Sequence, residues 1–132
     1  VRSRGLGDVY KRQAMLGAGE VLALDIDPVA VETALENARK NSVADTVRIM
    51  EGDIEKARGA YDLVTANLSG SLLASLAREI TARLAPRGFL IASGITPGEK
   101  PAVLDGFAGV GLERVKVVEE DDWVGILFYR PA

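Results

Sequence analysis

Three polar residues stand where short apolar runs end: Asp25 after Val21 to Leu24, Asp53 just beyond Val47 to Met50, and Asn67 after Tyr61 to Ala66. An ionised carboxylate accepts hydrogen bonds from paired hydroxyls, and an amide oxygen holds the N–H groups of an amine. Open parallel sheets bind ligands beyond the carboxyl ends of their strands, where the strand order reverses. These three positions are therefore candidates for a binding edge. Each also has a plainer reading. Asp25 would serve as a second capping acid beside Asp27, Gly52-Asp53 as a simple turn, and Asn67 as a residue that turns the chain after a strand. Asp27 already supplies the cap, which favours a ligand role for Asp25.

The composition narrows the chemistry available. The 132 residues contain neither cysteine nor histidine. That absence excludes thiol nucleophiles, disulfides, Cys/His zinc sites and Ser-His-Asp arrangements within this sequence, and no metal ligands are expected. With 48% hydrophobic and 27% charged residues the chain suits one folded domain. It has no apolar run of the roughly 18 residues that would span a membrane and no apolar N-terminal stretch, so a cytoplasmic location is expected. The net charge of -3 is uneven: Arg2, Arg4, Lys11 and Arg12 face a single acid, Asp8, in the first thirteen residues. The rest carries 12 bases and 18 acids, a balance that suits a basic substrate and argues against a nucleic-acid groove.

From Glu20 onward short apolar runs alternate with amphipathic segments, the pattern of a sheet built from βα units. Val21 to Leu24, Val47 to Met50, Tyr61 to Ala66 and Phe89 to Ala92 read as buried parallel strands. Asp27-Pro28 opens a helix expected to run to Lys40, with Val31, Ala34, Leu35 and Ala38 inward and Asn41 at its end. A second helix is expected from Ser71 to Leu84, stopped by Ala85-Pro86-Arg87-Gly88. Thr96-Pro97-Gly98-Glu99 has capping-box spacing, although Pro101 would push the start of its helix later. Two strands, Leu112 to Val118 and Trp123 to Tyr129, close the chain as a hairpin around Glu119-Glu120-Asp121-Asp122. Trp123 reads as core or as a substrate-facing aromatic, and Ser93-Gly94 as a turn or as cleft lining.

The run VLALDIDPVAVETALENARKN resembles the second strand and following helix of S-adenosyl-L-methionine-dependent methyltransferases. YDLVTANLSGSLLASLAREITARLAPRGFLIASGI, followed by GLERVKVVEEDDWVGILFYR, is similar to the catalytic domain of bacterial methyltransferases acting on protein eleven of the large ribosomal subunit. The likeness covers about Ala14 to Arg130. It rests on Asn67-Leu68, Ser93-Gly94-Ile95 and Asp122-Trp123-Val124 together. It implies an α/β fold, a Rossmann-like methyltransferase sheet with a C-terminal antiparallel hairpin. It assigns cofactor binding to Asp25 (ribose hydroxyls), Ile26 (adenine face), Asp53 (adenine amino group) and Asn67. Chemistry falls to Asn67 and the Leu68 carbonyl, which would hold a lysine or N-terminal amine of a ribosomal protein. No membrane and no direct nucleic-acid partner is implied. The alternatives are a methyltransferase for another protein or a small molecule, and a non-catalytic Rossmann-like binding module. Asp25 before a helix would also suit a nicotinamide dinucleotide, against which the C-terminal hairpin argues.

Such domains open with a strand, a glycine-rich turn and a helix. Ala14 to Gly19 matches only the end of that helix, and Gly17 and Gly19 precede a strand instead of following one. The first strand and glycine loop are therefore expected to be missing, leaving residues 14–132 as a partial domain that is inactive alone. Residues 1–13 match nothing in the family and are expected to be a non-native or disordered start. Loss of a central strand would expose two edges or force its neighbours to pair, with poor stability as the expected result.

Overall fold

The computed structural model describes residues 20–25, 46–50, 54 and 57–132. Residues 1–13, Gly17, Gly19, Ile26, Asp53 and the expected helix from Asp27 to Lys40, with its Asn41 cap, lie outside the described residues. Among the described residues six strands form one sheet: β1 (Glu20–Asp25), β2 (Thr46–Met50), β3 (Tyr61–Asn67), β4 (Leu84–Ile95), β5 (Glu113–Glu120) and β6 (Trp123–Tyr129). Their order is β2-β1-β3-β4-β6-β5. The first four are parallel, and β6 and β5 add to β4 in antiparallel pairing. This is the expected Rossmann-like sheet with its terminal hairpin. Of the two outcomes foreseen for the centre of the sheet, direct pairing is the one observed: β1 runs beside β3 from Val21↔Leu63 to Asp25↔Asn67.

Both faces of the sheet are covered. Val64, Leu90, Ala92, Ile126 and Phe128 point into the main core, while Leu63 and Ile91, on the opposite face, are equally buried. Uniform burial explains why these strands read as unbroken apolar runs instead of alternating ones. On the core side lie two short helices, α1 (Gly70–Ser75) and α2 (Ala77–Ala82), and a longer one, α3 (Lys100–Ala108). In α3, Val103 and Phe107 are both fully buried at helical spacing, and the Phe107 ring packs on Phe128 with centroids 4.9 Å apart. Each such apolar side chain contributes about 1.5–3 kcal/mol of burial.

Three boundaries differ from expectation. The helix foreseen from Ser71 to Leu84 is broken at Leu76, whose ψ of 9° leaves the helical range, although Leu73, Ala77 and Ile80 keep one buried stripe across the break. The Ala85–Gly88 turn is built into β4 as a bulge: Leu84 opposes Tyr61, the next in-register pair is Phe89 with Leu63, and Arg87 takes a left-handed φ of 68°. The hairpin strands extend further into the acidic run, so that only Asp121-Asp122 turns between Glu120 and Trp123. Thr96 to Glu99 behaves as its spacing and Pro101 predict, with a 3-10 turn at Pro97–Glu99 and the α-helix starting only at Lys100.

Candidate active site

The parallel registers bring Asp25, Asn67 and Ser93 side by side at the carboxyl edge, because Asp25 pairs with Asn67 and Asn67 with Ser93. Strand order reverses at this junction. From β1 the chain steps outward to β2, then returns across β1 to β3 and continues the other way. A switch point of this kind leaves a crevice above the strand ends. Two of the expected positions, Asp25 and Asn67, thus become neighbours. The other two, Ile26 and Asp53, fall outside the described residues.

Asn67 is the exposed last residue of β3, and Leu68 turns its side chain into the core at 2% exposure. The Leu68 amide donates to the Ser93 carbonyl at 3.1 Å, joining the two strand ends, and Ser93 Oγ reaches Asn67 Oδ1 at 3.5 Å. Immediately beyond, Gly94 has a φ of 87°, a conformation that a side chain resists. A methyl group at Gly94 would stand 2.7 Å from the Leu68 carbonyl oxygen and 2.9 Å from Asn67 Oδ1. Two acceptor oxygens, one from backbone and one from an amide, therefore converge on the space that this glycine keeps clear. Ser93 and Gly94 belong to the last residues of β4 and lie directly against Asn67 and Leu68. Trp123 is core, at 6% exposure, and its indole N–H has no hydrogen-bond partner among the described residues.

A residue that the sequence assigns only to a capping box completes this edge. Glu99 accepts at Oε1 from the Thr96 amide (3.1 Å) and the Thr96 hydroxyl (3.0 Å), and at Oε2 from the Ser71 amide (3.1 Å). The Thr96 amide bond is the main cause that holds the Glu99 carboxyl below its ordinary value, helped by the Thr96 hydroxyl and the Ser71 and Gly70 amides and opposed by partial burial. Capping-box spacing pointed to Thr96 and Glu99. Nothing local pointed to Ser71, which lies 28 residues away. Around the same edge stand the exposed Glu119, Glu120, Asp121 and Asp122, with Lys100 paired to Glu119 at 3.1 Å. No group of three or more acidic side chains capable of holding a metal occurs among the described residues.

Known proteins resemble this chain in sequence and in fold. The ribosomal protein L11 methyltransferase family profile matches residues 12–131. The chain is 39% identical over 128 residues to the ribosomal protein L11 methyltransferase of Syntrophotalea carbinolica, covering 97% of this chain and 42% of that protein. With the one from Symbiobacterium thermophilum it shares 41% over 116 residues, which is 88% of this chain and 38% of that protein. The chain thus spans about two fifths of the length of these relatives. A crystal structure of the ribosomal protein L11 methylase from Lactobacillus delbrueckii subsp. bulgaricus superposes with a TM-score of 0.78, covering 99% of this chain and 80% of that one. At 19% identity the superposition shows the methyltransferase-like fold. With the strand order reversing between β1 and β3, and a family profile that matches residues 12–131, this chain belongs to the ribosomal protein L11 methyltransferase family.

Proposed function

We propose that this chain is the greater part of the catalytic domain of an S-adenosyl-L-methionine-dependent N-methyltransferase that acts on lysine or N-terminal amines of a ribosomal protein. The observation that carries the proposal is the convergence of the Leu68 carbonyl and Asn67 Oδ1 in front of Gly94. Two acceptors at one point hold two N–H groups of a neutral amine and leave its lone pair aimed outward. S-adenosylmethionine, when bound, supplies a sulfonium methyl group, the N–C bond forming as the S–C bond breaks. The donor set fits that molecule: a carboxylate at the β1 end suits two ribose hydroxyls, and Asn67 stands at the same carboxyl edge of the sheet. Ile26 and Asp53 are assigned to the adenine on the family resemblance.

A lysine amine with a solution pKa of about 10.4 must lose its proton before it can attack. Asn67 and Leu68 favour the neutral form only by geometry, and the proton leaves to solvent. Glu119, Glu120, Asp121 and Asp122 beside the cleft favour approach of a positively charged side chain. The partner is accordingly a basic protein, with no membrane and no direct nucleic-acid contact in the reaction. No helix among the described residues is long and apolar enough to cross a membrane, and a cytoplasmic site of action belongs to this proposal.

The test joins the chain to the part of the Syntrophotalea relative that it does not span. The chimera is expected to bind S-adenosylhomocysteine by calorimetry and to lose that binding in Asp25→Ala. Asn67→Ala should lower turnover about 100-fold, the order expected for a misplaced reactant, while leaving cofactor affinity nearly unchanged. Preference for NAD, or a turnover indifferent to Asn67, would overturn the reading.

A further inference from the structure

We infer that Glu99 is a positioning residue for the amine-holding oxygens, acting as a clamp between the segment after β3 that carries them and the segment after β4. The inference rests on the reading of Asn67 and Leu68 given above, and deepens it. The loop after β3 contains Leu68 and leads into α1; Gly94 lies in the last residues of β4, from which Thr96 and the 3-10 turn lead into α3. The two segments touch at an inner point, where the Leu68 amide meets the Ser93 carbonyl and the Leu68 carbonyl meets Gly94. They touch again at an outer point, where Glu99 grips the Ser71 amide with one oxygen and Thr96 with the other. A single contact would leave the loops free to pivot. Two contacts, one on each side of the Leu68 carbonyl, fix its direction.

Gly70 shows how closely the outer contact is built. A methyl group there would lie 2.5 Å from Glu99 Cβ and 2.9 Å from its Cδ, so any side chain at position 70 displaces the carboxylate. Ser69 completes the same corner by capping α1, its Oγ accepting from the Leu72 amide at 3.3 Å. The sequence places glycine at position 70, where Glu99 needs the room, and serine at position 69, where the helix needs the cap.

Amide hydrogen exchange on the 132-residue chain tests the clamp without requiring activity. Glu99→Gln keeps the shape of the side chain but offers an acceptor at one end only, which separates bridging from filling space. It should lower protection of the Leu68 amide about tenfold, the order of one charge-assisted hydrogen bond, as well as that of Ser71. Gly70→Ala, which keeps the carboxylate and pushes it away, should act in the same direction. The Arg130 amide, bonded to the Gly88 carbonyl at the far end of the sheet, should remain unchanged in both. Loss confined to Ser71 and Thr96 in both variants would make Glu99 a local cap and overturn the inference. In the chimera, Glu99→Gln should reduce kcat several-fold at unchanged S-adenosylhomocysteine affinity; an unchanged kcat also overturns it. An inactive parent chimera would instead sink the functional reading, leaving the exchange result to stand as a statement about the loops.

Discussion

The two ends of the sheet solve the same problem with opposite charges. Between β3 and β4 the chain makes the helix pair α1–α2, which leaves amides unsatisfied where it enters and carbonyls unsatisfied where it leaves. At the amino-terminal edge of the sheet a cation fills the need: Arg130 donates to the Thr81 carbonyl at 3.3 Å and to that of Leu84. At the carboxyl edge an anion fills it, with Glu99 accepting from Ser71 and Thr96. Each sign matches the helix end it meets. The difference is in what lies between. At the arginine end the backbone closes too, Arg87 and Gly88 pairing with Arg130 at 2.8 and 2.9 Å. At the Glu99 end the closure is moved outward, and Gly94, without a side chain, lets its backbone lie close against two oxygens. A fold that must only be shut uses redundant bonds, whereas one that must admit a substrate holds its loops from outside.

The sharpest way to break this comparison is Gly94→Ala. The residue combines a φ of 87° with contacts at 2.7 and 2.9 Å, and neither of the atoms met is the end of a long flexible side chain. Left-handed strain and overpacking together should cost about 2–4 kcal/mol, read as a lower urea midpoint. Gly59→Ala is the matched control, because Gly59 has a φ of 82° and nothing within 4 Å of the added methyl group. The gap between the two variants measures the crowding at the site. If they cost the same, the space in front of Gly94 is not enclosed and the contrast between the two ends fails.

Next in size is Arg130→Met at the opposite end. Methionine keeps much of the stem of this half-buried side chain and removes the donor, leaving the Thr81 and Leu84 carbonyls without it. A loss of about 1–3 kcal/mol in stability is expected, with no change in S-adenosylhomocysteine binding by the chimera. An effect on binding larger than the effect on stability would mean that the arginine end also shapes the cleft.

Much of this was legible in the residues themselves. Strands buried on both faces announce themselves as apolar runs, so β3 and β6 are found within a residue or two of where the runs lie. Asp25 and Asn67 were legible as candidates because each ends such a run, and parallel pairing then made them neighbours. Local capping chemistry placed the Thr96–Glu99 turn. What escaped depends on distance through space. The Ser71 bond to Glu99 crosses 28 residues, and the room for it comes from the missing side chain at Gly70. The break at Leu76 escaped for the opposite reason, since Leu73, Ala77 and Ile80 keep helical spacing straight across it. Likewise, whether β1 and β3 pair directly depended on which strand lay between them, a matter of topology and not of either strand's composition.

The smallest expected effect is the one that separates the two ends by pH. The Glu99 carboxyl is held below its ordinary value by the bonds from Thr96, Ser71 and Gly70, so its folded-state pKa lies beneath its unfolded one. Such a group contributes stability that is fully present above the unfolded pKa and disappears as pH falls through the folded one. The bonds of Arg130 to the Thr81 and Leu84 carbonyls involve no carboxylate. The stability difference between the parent chain and Glu99→Gln should therefore be constant from neutral pH down to the ordinary carboxylate range and shrink below it. Over the same interval the difference between the parent and Arg130→Met should stay level. Urea midpoints of the three chains at a series of pH values measure both. A parent-minus-Gln difference that grows on acidification would reverse the sign of the linkage, and with it the claim that the carboxylate, as the anion, ties the cleft loops together.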